Sequence, residues 1–465
     1  MTPGGAPTEL GTLSVKTLLR RFAIPAIIAM TASSLYNMID SAFLGHIPGT
    51  GGLAIAGVTI CFPLMNISTA LGTLVGVGAS TMISVLLGQK NYASANRVLA
   101  NELSLNTLIG ILFTLFTLLF MDPVLRLFGA SDTVLPYARD YMTVIAIGNV
   151  VTHLYFGLNS VIRAEGNPRL AMKLTLFTVS SNALLDYLFI YPLGMGIRGA
   201  ALATILCQLV ALVYTLRFLS DKRRLLHFTR PLFQLDWRIA RQSLAIGVGP
   251  FLMNVAACLV ALFINQQLGK YGGDMAIGSY GILNRLTMLF VMICMGFNQG
   301  LQPIAGYNYG ARQYHRVKEI FLLTAKWEVL VTTLCFLMAE LIPRSAVSLF
   351  TNDPQLIDMA AHGLRIMNSA FALVGFGMVT GNFFQCLGMV WKSIFLSLSR
   401  QLLFLLPLIY TLPLWLQETG VWVSFPISDA INIIISAILI VRLFRKFDRL
   451  QDGENPDILG STIQS

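Results

Sequence analysis

Charged side chains are scarce in this 465-residue sequence, of which only 12% is Asp, Glu, Lys or Arg and 55% is hydrophobic. Soluble globular domains carry roughly 25% charged residues. The mean hydropathy of +0.70 points the same way. The composition therefore excludes an ordinary soluble domain and predicts an integral membrane protein.

Ten-residue segments of alternating apolar and polar residues, which are typical of an outer-membrane barrel, are lacking. Long apolar runs recur instead, and several exceed the roughly 20 residues that a helix needs to cross a bilayer. These runs predict an all-α membrane protein with twelve transmembrane helices. The predicted spans are approximately 19–43, 53–84, 99–120, 134–159, 170–191, 197–219, 243–269, 276–306, 318–342, 359–385, 392–415 and 423–444.

Several chemical motifs are also missing. The six cysteines stand singly, with neither CxxC nor metal-ligand spacing, which favours small buried side chains over disulfides or metal ligands. No P-loop pattern occurs, so ATP is not expected to supply the energy directly. No cleavable signal peptide is evident, because the first apolar segment is long, follows Arg20 and Arg21, and has no small-residue cleavage pattern.

The formal net charge of +10 comes from Lys and Arg residues that concentrate at the two termini and in every second loop. This is the positive-inside pattern of a membrane protein with both termini in the cytoplasm, and it argues against nucleic-acid binding. The densest cluster lies between the sixth and seventh spans. It either touches anionic lipid head groups or only marks the topology; its members are Lys222, Arg223, Arg224, Arg230, Arg238 and Arg241.

The two halves of the chain match each other at an offset of 222 residues, for example at Gly78 and Gly300 and at Tyr92 and Tyr314. Since each half has six spans, the repeats are parallel and are expected to form two six-helix lobes related by a pseudo-two-fold axis along the membrane normal, as in secondary transporters. The predicted segments are a cytoplasmic N-terminus (1–17), an N-lobe (18–220), a cytoplasmic linker (221–242), a C-lobe (243–446) and a polar tail (447–465).

Few acids lie deep in the predicted spans, and two of them have polar neighbours at helical spacing. Asn182 and Asp186 are four residues apart in span five, and Asp40 in span one follows Tyr36 and Asn37. Span six adds Thr204. Carboxylate, amide and hydroxyl oxygens suit either Na⁺ or a proton, and intramembrane acids are functional by default, although interhelical hydrogen bonding alone would also explain them. At the 222-residue offset, Asp186 meets Leu408, so this site is expected in the N-lobe only.

Other residues are weaker candidates. Arg285 in span eight either contacts substrate or is structurally paired. Met288 and Met292 could adapt to varied drugs or simply pack. Pro25 could kink span one and serve as a gating element, although many membrane helices contain such prolines. His153 could relay protons, but packing explains it better.

Five features together resemble the multidrug and toxic compound extrusion (MATE) family over about residues 18–449. They are "NMIDSAFLGH", "GQKNYASANRV", "RAEGNPR", "GLQPIAGYNYGARQYHRV" and the double repeat. The resemblance implies a secondary antiporter that expels cationic and amphipathic compounds in exchange for Na⁺ or H⁺. In the DinF-type branch of the family, the ion site would fall on Asp40, Asn182, Asp186 and Thr204, with Tyr36 nearby. NorM-type members also use acids in spans seven and ten, which this sequence lacks.

The sequence thus predicts a multidrug efflux antiporter that works by alternating access, with no enzymatic activity and no cofactor besides the coupling ion. Its expected partners are small-molecule drugs and membrane lipid, and a monomer is expected. A lipid-linked saccharide flippase of the same superfamily is the alternative, but it should have a cationic cavity, for which Arg285 alone is thin support. A channel lacks a filter segment, and an intramembrane aspartyl protease would need a GxGD motif that "LLDYLF" does not provide.

Overall fold

The computed structural model describes residues 9–45, 47, 51–229, 235–351, 353–450 and 452–453, and every regular element in this part of the chain is helical. The chain is therefore an all-α integral membrane protein. Its twelve long helices, labelled in chain order, are α1 Val15–Gly45, α2 Gly51–Gly88, α3 Tyr92–Leu119, α4 Leu135–Ala164, α5 Pro168–Ile190, α6 Gly196–Leu219, α7 Trp237–Gly273, α8 Met275–Gly310, α9 Tyr314–Leu341, α10 Pro354–Met367 with Phe371–Cys386, α11 Val390–Leu416 and α12 Glu418–Phe447.

Each of the twelve predicted spans lies on one of these helices. Among the described residues, nine helices are long and apolar enough to cross a membrane, or ten if the two parts of α10 form one span. Those two parts meet at a bend of 51°. The count of twelve membrane crossings stays a prediction.

Local sequence explains several helix boundaries. Asn91 caps α3 by accepting a hydrogen bond from the backbone N–H of Ser94, and Asp353 caps α10 in the same way. Gly273 separates α7 from α8, because its φ of 65° and ψ of −165° are not helical and a side chain would disfavour them. Pro168 begins α5, where a missing N–H costs nothing.

The chain forms two compact units, each with its own apolar core. The first contains residues 28–251, and the second contains residues 13–27 together with the chain from 252 onward. Two helices pass from one unit to the other: α1 changes unit two residues after Pro25, and α7 changes unit one residue after Pro250. The division of the chain into the lobes 18–220 and 243–446 stays a prediction.

Glycines let the first half of α7 pack directly against the backbone of α2 within the first unit. A Cβ atom at Gly247 would overlap the carbonyl oxygen of Leu74, and one at Gly78 would overlap that of Ser243. Within the second unit, the first half of α1 packs on two glycines of α8 in the same way. Small residues at such positions allow close helix approach in membrane proteins.

Candidate ion-coupling site

Three of the predicted site residues meet where α5 packs against α6. Asn182 Nδ2 donates a hydrogen bond to Asp186 Oδ1 at 2.9 Å, and Thr204 Oγ1 donates to Asn182 Oδ1 at 3.3 Å. Asp186 is fully buried and Asn182 is 4% exposed. The spacing of four residues in the sequence thus becomes one polar face on α5, with Thr204 of α6 opposite.

The connection between α5 and α6 explains why these residues face each other. Only residues 191–195 separate the two helices, and Gly194 has a φ of 62° in this tight turn. Gly196, with a φ of 55°, then starts α6. Because such a short connection makes the helices antiparallel neighbours, residues at similar distances from the turn come together.

The second half of α1 contacts the same region of the first unit. Tyr191, directly after α5, donates a hydrogen bond from Oη to the carbonyl oxygen of Phe43 at 2.9 Å, and the two rings are 6.4 Å apart. Phe43 is three residues after Asp40. The side chains of Tyr36, Asn37 and Asp40 themselves lie outside the part that the structure describes, so their contribution to the site stays a prediction.

A buried carboxyl group surrounded by amide and hydroxyl oxygens can bind a proton or a hard cation such as Na⁺. An ionised carboxylate inside a membrane protein is costly without such a partner. Among the described residues, no group of three or more His, Cys, Asp or Glu side chains could hold a metal ion. The donors at Asp186 are carboxylate, amide and hydroxyl oxygens, which are the hard ligands that such cations prefer.

The remaining predicted residues belong to the second unit. Arg285 and Met288 are exposed on α8, and Met292 is half-buried. Pro25 is buried inside the continuous helix α1. Their substrate-binding and gating roles stay predictions.

The sequence analysis did not single out three groups of buried charged residues. Glu102 in α3 and Glu328 in α9 are fully buried acids, and Arg400 of α11 forms an ion pair with Asp429 of α12 at 2.5 Å. The sequence alone could have indicated them, because all four residues are ionisable and lie within the predicted spans. Of the six cysteines, Cys258 is exposed, which differs from the expectation that all are buried.

In the double repeat, the Arg400–Asp429 pair aligns with positions close to the candidate site of the first half. At the 222-residue offset, Arg400 corresponds to Thr178 and Asp429 to Cys207, which are each about one turn from the Asn182 and Thr204 positions in the first half. Arg400 lies in a π-helical segment of α11, residues 399–405. The second half thus has an ion pair at two positions where the first half has the uncharged Thr178 and Cys207.

These features define a helical membrane transporter with a buried acidic site in its first unit. The MatE family model matches residues 25–188 and 250–411, and the chain belongs to this family of membrane transporters. The two matched stretches start at the prolines next to which α1 and α7 change unit.

Known relatives cover nearly the whole chain. It is 26% identical over 430 residues to the multidrug export protein MepA of Staphylococcus haemolyticus, covering 92% of this chain and 94% of the relative. It is 27% identical over 432 residues to MepA of Staphylococcus aureus strain MSSA476, with coverages of 93% and 94%. These relatives are transporters, not enzymes.

Solved structures show the same fold. An outward-facing multidrug resistance MATE transporter of the MOP superfamily matches with a TM-score of 0.87 and 25% identity, covering 95% of this chain and 98% of that one. A MOP superfamily transporter from Pyrococcus furiosus, whose reversed pocket polarity suggests a different function, matches with a TM-score of 0.88 and 25% identity over 96% and 99%. Since transporters of different function share this fold, the fold alone does not identify the substrate.

Proposed function

We propose that the chain is a multidrug efflux antiporter that exports cationic and amphipathic organic compounds in exchange for H⁺ or Na⁺. The observation that carries the proposal is the buried contact of Asn182, Asp186 and Thr204 on α5 and α6. The relatives named as multidrug exporters support the substrate class. The flippase alternative gains no support from the relatives, which are named as multidrug export proteins.

The coupling site lies in the first half of the chain, as in the DinF-type branch. Asp186 binds the ion together with Asn182, Thr204 and Asp40, and Tyr36 is nearby. The hydrogen bond from Tyr191 to α1 supports this grouping, since it holds the second half of α1 beside α5. The protein works in the bacterial inner membrane with both termini in the cytoplasm.

Exchange follows from competition between the ion and the drug. The ion neutralises Asp186 in the outward-facing state, α1, α5 and α6 repack, and the drug leaves. A ligand shifts a conformational equilibrium only through different affinities for the two states, so drug and ion oppose each other either directly or through conformation. Pro25, at which α1 can bend, is the gating element.

Transport by the purified chain in proteoliposomes tests this proposal. Either a pH gradient or a Na⁺ gradient across the membrane should drive the movement of an organic cation such as ethidium. Transport should stop when the gradient that drives it is collapsed. Whichever gradient drives transport identifies the coupling ion. If neither gradient moves any of several organic cations, while a lipid-linked saccharide crosses the bilayer, the flippase replaces the antiporter.

A further inference from the structure

Glu102 is an acid in the interior of the first unit that the proposed coupling site does not use. It lies about 15 Å along α3 from the start of the helix at Tyr92, and its side chain is 2% exposed. Asn106 Nδ2 donates a hydrogen bond to Glu102 Oε1 at 2.7 Å. Glu102 Oε2 is buried without a hydrogen-bond partner among the described residues.

These contacts favour the neutral acid. An ionised carboxylate has two acceptor oxygens that need several donors or a cation, whereas Glu102 has one amide donor. No ion pair with Glu102 occurs in the described part of the chain, and an unpaired buried charge is far more costly than a neutral carboxyl group. Glu102 therefore holds a proton in this conformation.

The packing around Glu102 leaves no space for a larger neighbour. A Cβ atom at Gly157 of α4 would overlap both Glu102 Oε1 and Asn106 Nδ2. Asn106 Nδ2 is also 3.4 Å from the backbone oxygens of Gly72 in α2 and His153 in α4. The carboxyl group thus lies at the junction of three helices, where a small rearrangement would change its environment.

A second titratable group adjoins this junction. The His153 ring is fully buried, with Nε2 3.1 Å from Ser68 Oγ and 3.3 Å from Asn149 Nδ2. Other titratable or charged groups on the helices packed against α3 are few. Cys61 is the one on α2, and the exposed Arg238 and Arg241 are on the first half of α7. Those on α4 are Tyr137, Arg139, Asp140, Tyr141, Tyr155 and Arg163.

Glu328 is the corresponding buried acid of the second unit. It is fully buried near the middle of α9, and its closest polar contact is Asn298 Nδ2 of α8, 3.4 Å from Oε2. Its Oε1 atom has no partner in the described residues. Asn298 is held in turn by Asn382 of α10, whose Nδ2 donates to Asn298 Oδ1 at 3.0 Å.

The groups that face Glu328 are also few. Cys294 is a fully buried thiol on α8, the helix that carries Asn298. Lys326 on α9 is exposed, and Asp429 of α12 is already paired with Arg400. Other titratable side chains are Cys335 on α9 itself, Tyr280, Arg285, Tyr307 and Tyr309 on α8, Arg344 after α9, Asp358, His362, Arg365 and Cys386 on α10, and Glu418, Arg442, Arg445 and Lys446 on α12. Glu328 therefore also holds a proton in this conformation.

The double repeat connects the two acids. At the 222-residue offset Glu328 corresponds to Asn106, and the counterpart of Glu102 is Thr324, which is also fully buried. Each half thus keeps one buried carboxyl group on the same face of its third helix, one turn apart. The other of the two positions is occupied by Asn106 in the first half and by Thr324 in the second, so each half has one acid at this pair of positions.

We propose that each half of the chain contains a proton-binding carboxyl group on its third helix, Glu102 in α3 and Glu328 in α9, in addition to the site at Asp186. The bound proton leaves when transport opens the helix junction to water, and the carboxylate is protonated again when the junction closes. Proton release during transport rests on the proposed antiport. Proton binding at these two carboxyl groups does not.

Infrared spectroscopy of the full chain in lipid nanodiscs tests proton binding without transport. The carbonyl stretch of a protonated carboxylic acid should be present near neutral pH, shift when Glu is labelled with ¹³C at the carboxyl group, and weaken in Glu102→Gln and Glu328→Gln. Glu319→Gln, which removes an exposed acid from the same helix α9, should leave it unchanged. A spectrum without a ¹³C-Glu-sensitive protonated band overturns the proposal even if the variants do not fold.

Transport assays separate proton exchange from a purely structural role. Ethidium should reduce the ¹³C-Glu band in the wild-type protein, and each Gln variant should release fewer protons on ethidium addition while keeping its thermal stability. A band that neither ethidium nor alkaline pH changes, with transport by both Gln variants at the wild-type rate, would show that the acids only hold the helices together. If the wild-type protein transports nothing, but its band titrates with pH and weakens in both Gln variants, the antiport has failed and proton binding at Glu102 and Glu328 stands.

Discussion

The Arg400–Asp429 ion pair offers the sharpest test of the second unit. Asp429 is 2% exposed and Arg400 is 28% exposed. Breaking a buried pair by removing one charge costs about 3–5 kcal/mol, because the other charge stays buried. Since water still reaches part of Arg400, Asp429→Asn should lower the free energy of unfolding by the smaller value, about 3 kcal/mol.

The double variant Arg400→Met/Asp429→Leu removes both charges and should recover most of that loss, since apolar residues can replace a buried pair with little cost. Equilibrium unfolding in detergent micelles of Arg400→Met, Asp429→Leu and the double variant measures the coupling. The matched control is Asp358→Asn, which breaks the exposed pair with Arg344 and should cost less than about 1 kcal/mol. Equal losses for Asp429→Asn and Asp358→Asn would refute the reasoning.

Two further predictions concern the first unit. Glu165 follows α4, and its burial raises its pKa from 4.5 to about 7, although the nearby Arg224 lowers the pKa in part. Between pH 4.5 and pH 7, the folded state therefore binds more protons than the unfolded state. The free energy of unfolding should therefore fall by up to about 3 kcal/mol as the pH rises through this window, and it should depend less on pH in Glu165→Gln. If the melting temperature depends on pH equally in Glu165→Gln and the wild-type protein, the prediction is contradicted. Gly247→Ala should lower the free energy of unfolding by about 1–3 kcal/mol, because its Cβ atom would overlap Leu74. The control Gly281→Ala has open space around the new Cβ atom and should unfold like the wild type. Equal melting temperatures for both alanine variants would argue against the close packing of α7 on α2.

Composition and apolar run length predict much of this fold. All twelve predicted spans fall on helices, since apolar runs of that length can satisfy their backbone in lipid only as helices. The bend in α10 and the π-helical turn in α11 were not predicted, because both depend on how neighbouring helices pack. The passage of α1 and α7 from one unit to the other also depends on tertiary contacts, although Pro25 lies next to one of these points.

The candidate site shows the same limit. The spacing of Asn182 and Asp186 predicts their contact, because residues four apart share a helix face. The partner of Asp429 could not be predicted, since Arg400 is on another helix and is brought near it only by packing. Glu102 and Glu328 stood in the predicted spans, but only the structure shows that each has an oxygen without a partner among the described residues.

Asp186→Asn tests the central claim most directly. The substitution keeps the size of the side chain and removes its ability to bind and release an ion. Ethidium transport in proteoliposomes, driven by whichever gradient moves it in the wild-type protein, should be abolished, while Asp122→Asn, which changes an exposed acid in the same unit, should transport normally. Transport by Asp186→Asn at the wild-type rate would contradict the assignment of the coupling site to α5 and α6.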